Sequence, residues 1–287
     1  MEKSFKTFLA ENKFILHCGA TGTELIKRGG ATPGAVNNAL LPEAVLEIQK
    51  GYADAGVKIL LANTFSMNPI FAATHAKDYD WEKLNRTGVQ IAKKAASGRC
   101  YVLGNVGPVG ELLEPFGPLK EEDVYEAIRQ QAVILVEEGI DGFSIQTFYD
   151  LRELKVAVEA VRSVSALPII ANMVFTAQGA TMMGDTPEKA YRELLPLGID
   201  VFGHNCGDID FISLGDLLLP LAQKAEIPLC ALPNAGLPRS IDGVAVYPMT
   251  PAEFREGVLY LKSKNIAVLG GCCGVHVEHI AAVADLF

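Results

Sequence analysis

Short apolar runs rich in β-branched residues recur along the chain, and each gives way to small or polar residues. They are FILHCG (14–19), KILLANTF (58–65), CYVLGNVG (100–107), GFSIQTF (142–148), PIIANMVF (168–175), VFGHNC (201–206), PLCALPNA (228–235) and AVLGGCCG (267–274). Runs that are apolar throughout, without the alternation of a half-exposed strand, predict strands covered on both faces, as in a parallel sheet. Segments of helical period lie between them. PEAVLEIQKGYADAG begins at Pro42, a residue suited to the first turn of a helix. EEDVYEAIRQQAVILVEEG sets Val124, Ile128, Ala132 and Leu135 on one stripe and closes on Gly139, a helix-stop signal. LRELKVAVEAVRSV, TPEKAYRELLPLG, LGDLLLPLAQKA and TPAEFREGVLYLKSKN read the same way. In the two TP segments, Thr186 and Thr250 are expected N-caps with proline at the first helical position. Eight strand–helix alternations predict a (β/α)8 TIM barrel in which residues 1–287 form a single domain. The longest irregular stretches, 29–42 and 236–250, each follow a strand and its turn, so both are expected to be loops on the active-site face.

Composition narrows the partners. The chain is 49% hydrophobic, enough for a large core, and its 25 Lys and Arg against 34 Asp and Glu give a formal charge of −9. A surface of that sign repels nucleic acid and anionic membranes, so neither is expected as a partner. The opening MEKSFKTFLAENKFIL has no long apolar run and no small-residue cleavage site, and reads as a short amphipathic helix rather than a signal peptide. No stretch reaches the roughly 18 apolar residues of a membrane span. A cytoplasmic setting is therefore expected, in which six cysteines are free, metal-bound or catalytic rather than paired in disulfides.

In a barrel of this kind the active site is built from the C-terminal strand ends. Nearly every run here ends in an amide, a thiol or an imidazole: Cys18, Asn63 with Thr64, Asn105, Gln146 with Thr147, the trio His204, Asn205 and Cys206, then Asn234, and finally Cys272 with Cys273; Asn172 sits within the fifth run. Cys206 and the Cys272–Cys273 pair come from the sixth and eighth runs, two apart around a closed barrel. Thiolates are soft ligands that select zinc over magnesium or calcium, and three protein ligands leave the open position of a catalytic site. Adjacent strand residues point to opposite faces, so both cysteines of a pair can reach one ion only where the strand ends and turns. Gly270, Gly271 and Gly274 permit such a turn. Spacing alone leaves these three between a metal site and buried apolar thiols, while Cys100 and Cys230, inside apolar runs, are assigned to the core.

The chain as a whole resembles the homocysteine S-methyltransferase family. The matching pieces are GATGTEL (19–25), ANTF (62–65), GNVGPVGE (104–111), QTFYDLRELKVAV (146–158), HNCG (204–207), PNAGLP (233–238) and GGCCG (270–274), in the family's order. With VYPMTPAEF (246–254) the likeness is in particular to the homocysteine-binding module of cobalamin-dependent methionine synthase. The resemblance implies zinc bound by Cys206, Cys272 and Cys273, with Asn234 able to take the fourth position when no thiol is bound. It implies that zinc holds a substrate thiol as thiolate at neutral pH, and that the sulfur attacks a methyl group in line. Cys18, Gly19, Ala20, Asn105, Gln146 and Asn234 are then the expected substrate contacts.

Two departures change the expected substrate. The family's first strand usually ends in Asp before the GAxGT turn, where this chain has Cys18. Its fourth strand usually ends in Glu-Thr-Phe, where this chain has Gln146-Thr147-Phe148. In the family those carboxylates bind the α-ammonium of homocysteine. Their replacement points to a thiol acceptor without that ammonium, unless Glu24 or Asp150 compensates. His17 and His204 beside the site would favour an anionic thiol if charged, and Cys18 is a candidate extra zinc ligand. The chain carries no corrinoid-binding Asp-x-His-x-x-Gly sequence, so the methyl donor must come from outside. A separate methylcorrinoid protein is favoured, with a small S-methyl or N-methyl compound as the alternative. A zinc-binding barrel that has lost catalysis is the reading from another class.

Overall fold

The computed structural model describes residues 3–241 and 244–287. Its strands are β1 (Ile15–Leu16), β2 (Ile59–Leu61), β3 (Tyr101–Val106), β4 (Gly142–Phe148), β5 (Ile169–Met173), β6 (Val201–Asn205), β7 (Leu229–Leu232), β8 (Arg239–Ile241), β9 (Val244–Val246) and β10 (Val268–Leu269). Eight of them form one parallel sheet in the order β1-β10-β7-β6-β5-β4-β3-β2. The two ends meet: Cys18 N–H donates to the Ile59 carbonyl at 3.0 Å and Lys58 N–H to the Leu16 carbonyl at 2.8 Å. Helices lie between successive strands, so the fold is the (β/α)8 barrel expected from the alternation.

Each barrel strand falls inside one of the eight apolar runs. The expected caps form as well: Thr186 and Thr250 accept from the backbone N–H groups of Lys189 and Glu253. Helix Glu121–Glu137 buries Val124, Ile128, Ala132 and Leu135, and Gly139 beyond it has φ +73°. Two helices not singled out from the sequence, Pro69–His75 and Trp81–Ala96, connect β2 to β3. The buried face of the second combines small and polar residues, Asn85, Gly88, Ala92, Ala95 and Ala96, with Leu84, Val89 and Ile91.

The barrel interior is sealed at its N-terminal end. Helix Phe5–Glu11 sends Phe5 and Leu9 into a cluster with Ile15, Ile59, Tyr101, Ile170, Val201 and Val268. The opposite, C-terminal end stays open. Along β1 the sides alternate: Ile15 packs in this interior cluster, whereas Leu16 and Cys18 pack in the cluster between strands and helices. That alternation decides which strand-end residues reach the site.

Candidate active site

A cavity of about 230 Å³ opens at the C-terminal mouth, with Cys206, Cys272 and Cys273 in its wall. β6 and β7 set Cys206 beside the turn after β10. The Cys206 and Cys273 sulfurs are 4.0 Å apart, and the three sulfurs lie within 4.8 Å of one another. Among the described residues no other set of three metal-ligating side chains converges in this way. Neither glycine flanking the Cys272–Cys273 pair has room for a side chain, which at Gly271 would begin 2.3 Å from Val275 Cγ2. β10 stops at Leu269, and Gly274 has φ +78° with Tyr247 Cβ only 2.2 Å from where a side chain would begin.

The electrostatics of the trio suit a cation. Hydrogen bonds from Cys206 and Cys272 pull the Cys273 thiol down to about 3, with the Tyr247 hydroxyl as a further partner. The same proximity, Cys206 first, pushes Cys272 well above its ordinary value. One negative charge is held readily and further charges repel it, a conflict that a divalent cation removes. Asn234 is the candidate fourth group. Its Nδ2 donates to the Gly207 carbonyl at 2.6 Å, while its Oδ1 is buried without a hydrogen-bond partner. Its backbone neighbours are tied to the cysteine turn, Ala235 N–H to the Cys273 carbonyl at 2.9 Å and Cys272 N–H to the Pro233 carbonyl at 2.9 Å. Three soft sulfurs with one orphaned carboxamide oxygen fit a four-coordinate zinc ion.

Strained backbone holds one member of the trio and a neighbour of it. Cys206 has φ +63° and Thr147, β-branched, has φ +68°. Asn205, fully buried, joins them: its Oδ1 accepts from Thr147 N–H at 2.7 Å, and its Nδ2 donates to Thr147 Oγ1 at 2.7 Å and approaches Cys272 Sγ at 3.7 Å. One amide thus positions the ends of β4 and β6 and a thiol of the cluster.

Gly19, Ala20, Asn105 and Gln146 line the cavity as expected. Gly19 has no room for a side chain, since the Val275 carbonyl oxygen lies 2.2 Å from where Cβ would sit. The expected contact at Cys18 is corrected. Its side chain is buried between strands and helices, where burial raises its pKa to about 12, and it neither lines the cavity nor joins the sulfur cluster. The alternation of β1 puts His17 in the cavity wall in its place. Asn234 stands beside the cysteine turn rather than in the cavity wall.

The histidines carry no charge there. Burial lowers both His17 and His204 to about 4. His204 Nδ1 accepts from Phe175 N–H at 3.1 Å, so its Nε2 holds the proton and donates to the Cys206 carbonyl at 2.8 Å. Nor do the substitute carboxylates reach the cavity. Glu24 pairs with His276 at 2.6 Å, and Asp150 caps helix Leu151–Arg162 through Arg152 N–H at 2.8 Å. Glu153, raised to about 7 by burial, accepts from Val109 N–H. Among the described residues no Asp, Glu, Lys or Arg lines the cavity.

Both long irregular stretches reach the site. Pro33, Gly34 and Ala35 form part of the cavity wall. Residues 236–250 bring Tyr247 to Cys273 and contain the antiparallel hairpin β8–β9, which the short mixed segments RSI and VAV did not announce. Residues 242 and 243 of that stretch lie outside those described. Phe65 and Phe71 supply an apolar wall that also escaped the reading of strand ends.

The fold and the thiol cluster together are those of a barrel enzyme with a metal-capable centre at its mouth. Residues 15–287 match the family model of homocysteine S-methyltransferase, and the chain belongs to that family of methyltransferase enzymes. It is 29% identical over 290 residues to the methionine synthases of Mycobacterium leprae and Mycobacterium tuberculosis, covering 93% of this chain. The chain spans 24% of the length of those relatives. The metallated form of the homocysteine methyltransferase MmuM from Escherichia coli superposes with a TM-score of 0.81 over 98% of this chain and 99% of that one, at 20% identity. That likeness supports the barrel. Among the described residues no helix is long and apolar enough to cross a membrane.

Proposed function

We propose that this chain, as one barrel domain, is a zinc-dependent thiol methyltransferase whose acceptor lacks the ammonium of homocysteine. The observation that carries the zinc centre is the convergence of three sulfurs within 4.8 Å beside an unpartnered Asn234 Oδ1. Cys206, Cys272 and Cys273 would hold the ion, with Asn234 as the exchangeable fourth ligand. When bound, zinc keeps a substrate thiol ionised near neutral pH. The protein's own part is to seat and orient that thiol. Asn205 holds the cluster, Phe65 and Phe71 exclude water from one wall, and the uncharged lining receives the rest of the acceptor. The thiol gives up its proton, and its sulfur forms the new S–C bond as the bond from donor to methyl breaks, the donor keeping the electron pair. The six unpaired cysteines suit a cytoplasmic setting.

The acceptor reading rests on the absence, among the described residues, of any charged side chain from the cavity lining. An ammonium brought there loses hydration without gaining an opposite charge. Gln146→Glu is expected to strengthen binding of homocysteine relative to its des-amino analogue by roughly tenfold to a hundredfold, the contribution of one charge-assisted hydrogen bond. Cys18→Asp is expected to add nothing, because that side chain faces away from the cavity. Calorimetric titration of both thiols into each variant measures this, and a des-amino preference unmoved by Gln146→Glu would sink it.

We propose further that the methyl donor is a methylcorrinoid carried by another protein. The cavity, about 230 Å³, is too small for a corrinoid ring, so such a donor must approach the cluster from the mouth. Loops after β3, β4, β5 and β7 carry exposed Leu112, Phe116, Tyr149, Met182 and Leu237, an apolar rim suited to a docking partner. Mixing the zinc-loaded protein, a bound thiol and a methylated corrinoid protein should give demethylation, visible in the corrinoid absorption spectrum. Turnover confined to small methylated amines or sulfonium compounds would exclude that donor.

A further inference from the structure

The cavity wall contains two buried acceptors that the described protein leaves unused. His17 Nδ1 lies 3.0 Å from the Cys18 carbonyl oxygen, and a carbonyl can only accept, so the proton is on Nδ1. Its Nε2 is therefore a bare lone pair, and it is buried without a partner. Asn105 Oδ1 is buried and unpartnered in the same way. Both residues line the cavity that holds the thiols. A third lining group, Gln146, already uses its Oε1 to accept from Ser144 Oγ at 3.3 Å. Buried polar atoms are nearly always satisfied, and unused acceptors beside a cavity ask for a donor from its occupant.

The occupant's charge follows from its surroundings. Among the described residues no ionisable carboxylate faces the cavity to balance a cation. Burial keeps the His17 imidazole neutral, so it offers an anion no positive charge. A neutral group with a hydrogen to donate satisfies one of these acceptors for each such hydrogen, without bringing a charge out of water.

Resting on the thiol-methyltransferase reading, we propose that the acceptor is a thiol bearing a neutral hydrogen-bond donor, in the simplest case a hydroxyl, donating to His17 Nε2 or Asn105 Oδ1. This makes His17 a specificity-determining residue of the site, a place where strand-end chemistry alone had pointed to Cys18.

A matched series of thiols tests it by calorimetric titration into the zinc-loaded protein. The tails are hydroxyl, methoxy, methyl and ammonium, each at two- and three-carbon spacing. The methoxy compound keeps the oxygen and loses only the donor. The hydroxy thiol is expected to bind at least about tenfold tighter than the methoxy and ammonium thiols at one spacing or both, because a site built around a substrate hydroxyl penalises its absence. His17→Leu or Asn105→Leu is expected to reduce that preference, with zinc content as the control for an intact centre. Equal binding of hydroxy and methoxy thiols by the unmodified protein at both spacings overturns the proposal, whether or not the variants fold. That result, with the methyl-tailed thiol still binding, leaves the zinc–thiol reading standing. If no thiol binds the zinc-loaded protein, both fall.

Discussion

Serine in place of Cys206, Cys272 or Cys273 is expected to strip most of the zinc and nearly all of the activity. Each residue supplies one of three sulfurs packed within 4.8 Å. Structural zinc sites contribute roughly 10–16 kcal/mol in all, so one ligand of four accounts for roughly 3–4 kcal/mol, or about 10²–10³-fold in affinity. A hydroxyl is a poor substitute, because it holds its proton at neutral pH and is a harder donor. Asn234→Ala offers the contrast. In the proposed centre its oxygen gives way to the substrate sulfur, so this variant should keep most of its zinc and still bind thiols. Metal analysis of purified variants, supported by competition with a chelator of known affinity, reads the difference. Unchanged stoichiometry in all three serine variants would remove the zinc centre from the argument, and a metal-free Asn234→Ala protein would make that residue structural.

The second large effect is expected at Asn205, which touches no substrate. Asn205→Ala leaves the half-buried Thr147 N–H and hydroxyl without their partners and removes a donor 3.7 Å from Cys272 Sγ. It also frees two non-glycine residues from positive φ, at Thr147 and Cys206. Orphaning such groups costs about 1–3 kcal/mol each, so a loss of about 2–4 kcal/mol in folding stability is expected. Released strain can recover part of that, but only by moving Cys206 away from Cys273. Zinc affinity is therefore expected to fall about 10–100-fold, as for other residues that orient metal ligands. Asn205→Asp separates geometry from donation: it still accepts from Thr147 N–H but sets a carboxylate beside the thiolates, so stability should recover more than zinc affinity does. Chemical denaturation and chelator competition give the two readouts. Wild-type zinc affinity in Asn205→Ala would show that the cluster holds its shape unaided.

Much of this molecule was legible along the chain because the governing patterns are local. Strands covered on both faces must be apolar throughout, and the eight runs that are so contain the eight barrel strands. Thr-Pro caps, a Gly stop and the apolar stripe of Glu121–Glu137 report backbone geometry within a few residues of themselves. The GGCCG turn likewise announces its own freedom, and family motifs singled out the three thiols and Asn234. What the sequence could not decide was which side of the barrel wall a strand-end residue faces. β1 is only two residues long, and its facing depends on hydrogen bonds to β10 and to the start of β2, residues far away in sequence. That register turns His17 inward and Cys18 outward. The Asn205–Thr147 clamp belongs to the same class, since its partners stand 58 residues apart and meet only once the barrel closes. The neutrality of the cavity was equally a tertiary outcome: Glu24 and Asp150 carry full charges in the sequence, and only packing commits them to His276 and to a helix cap instead of to the substrate.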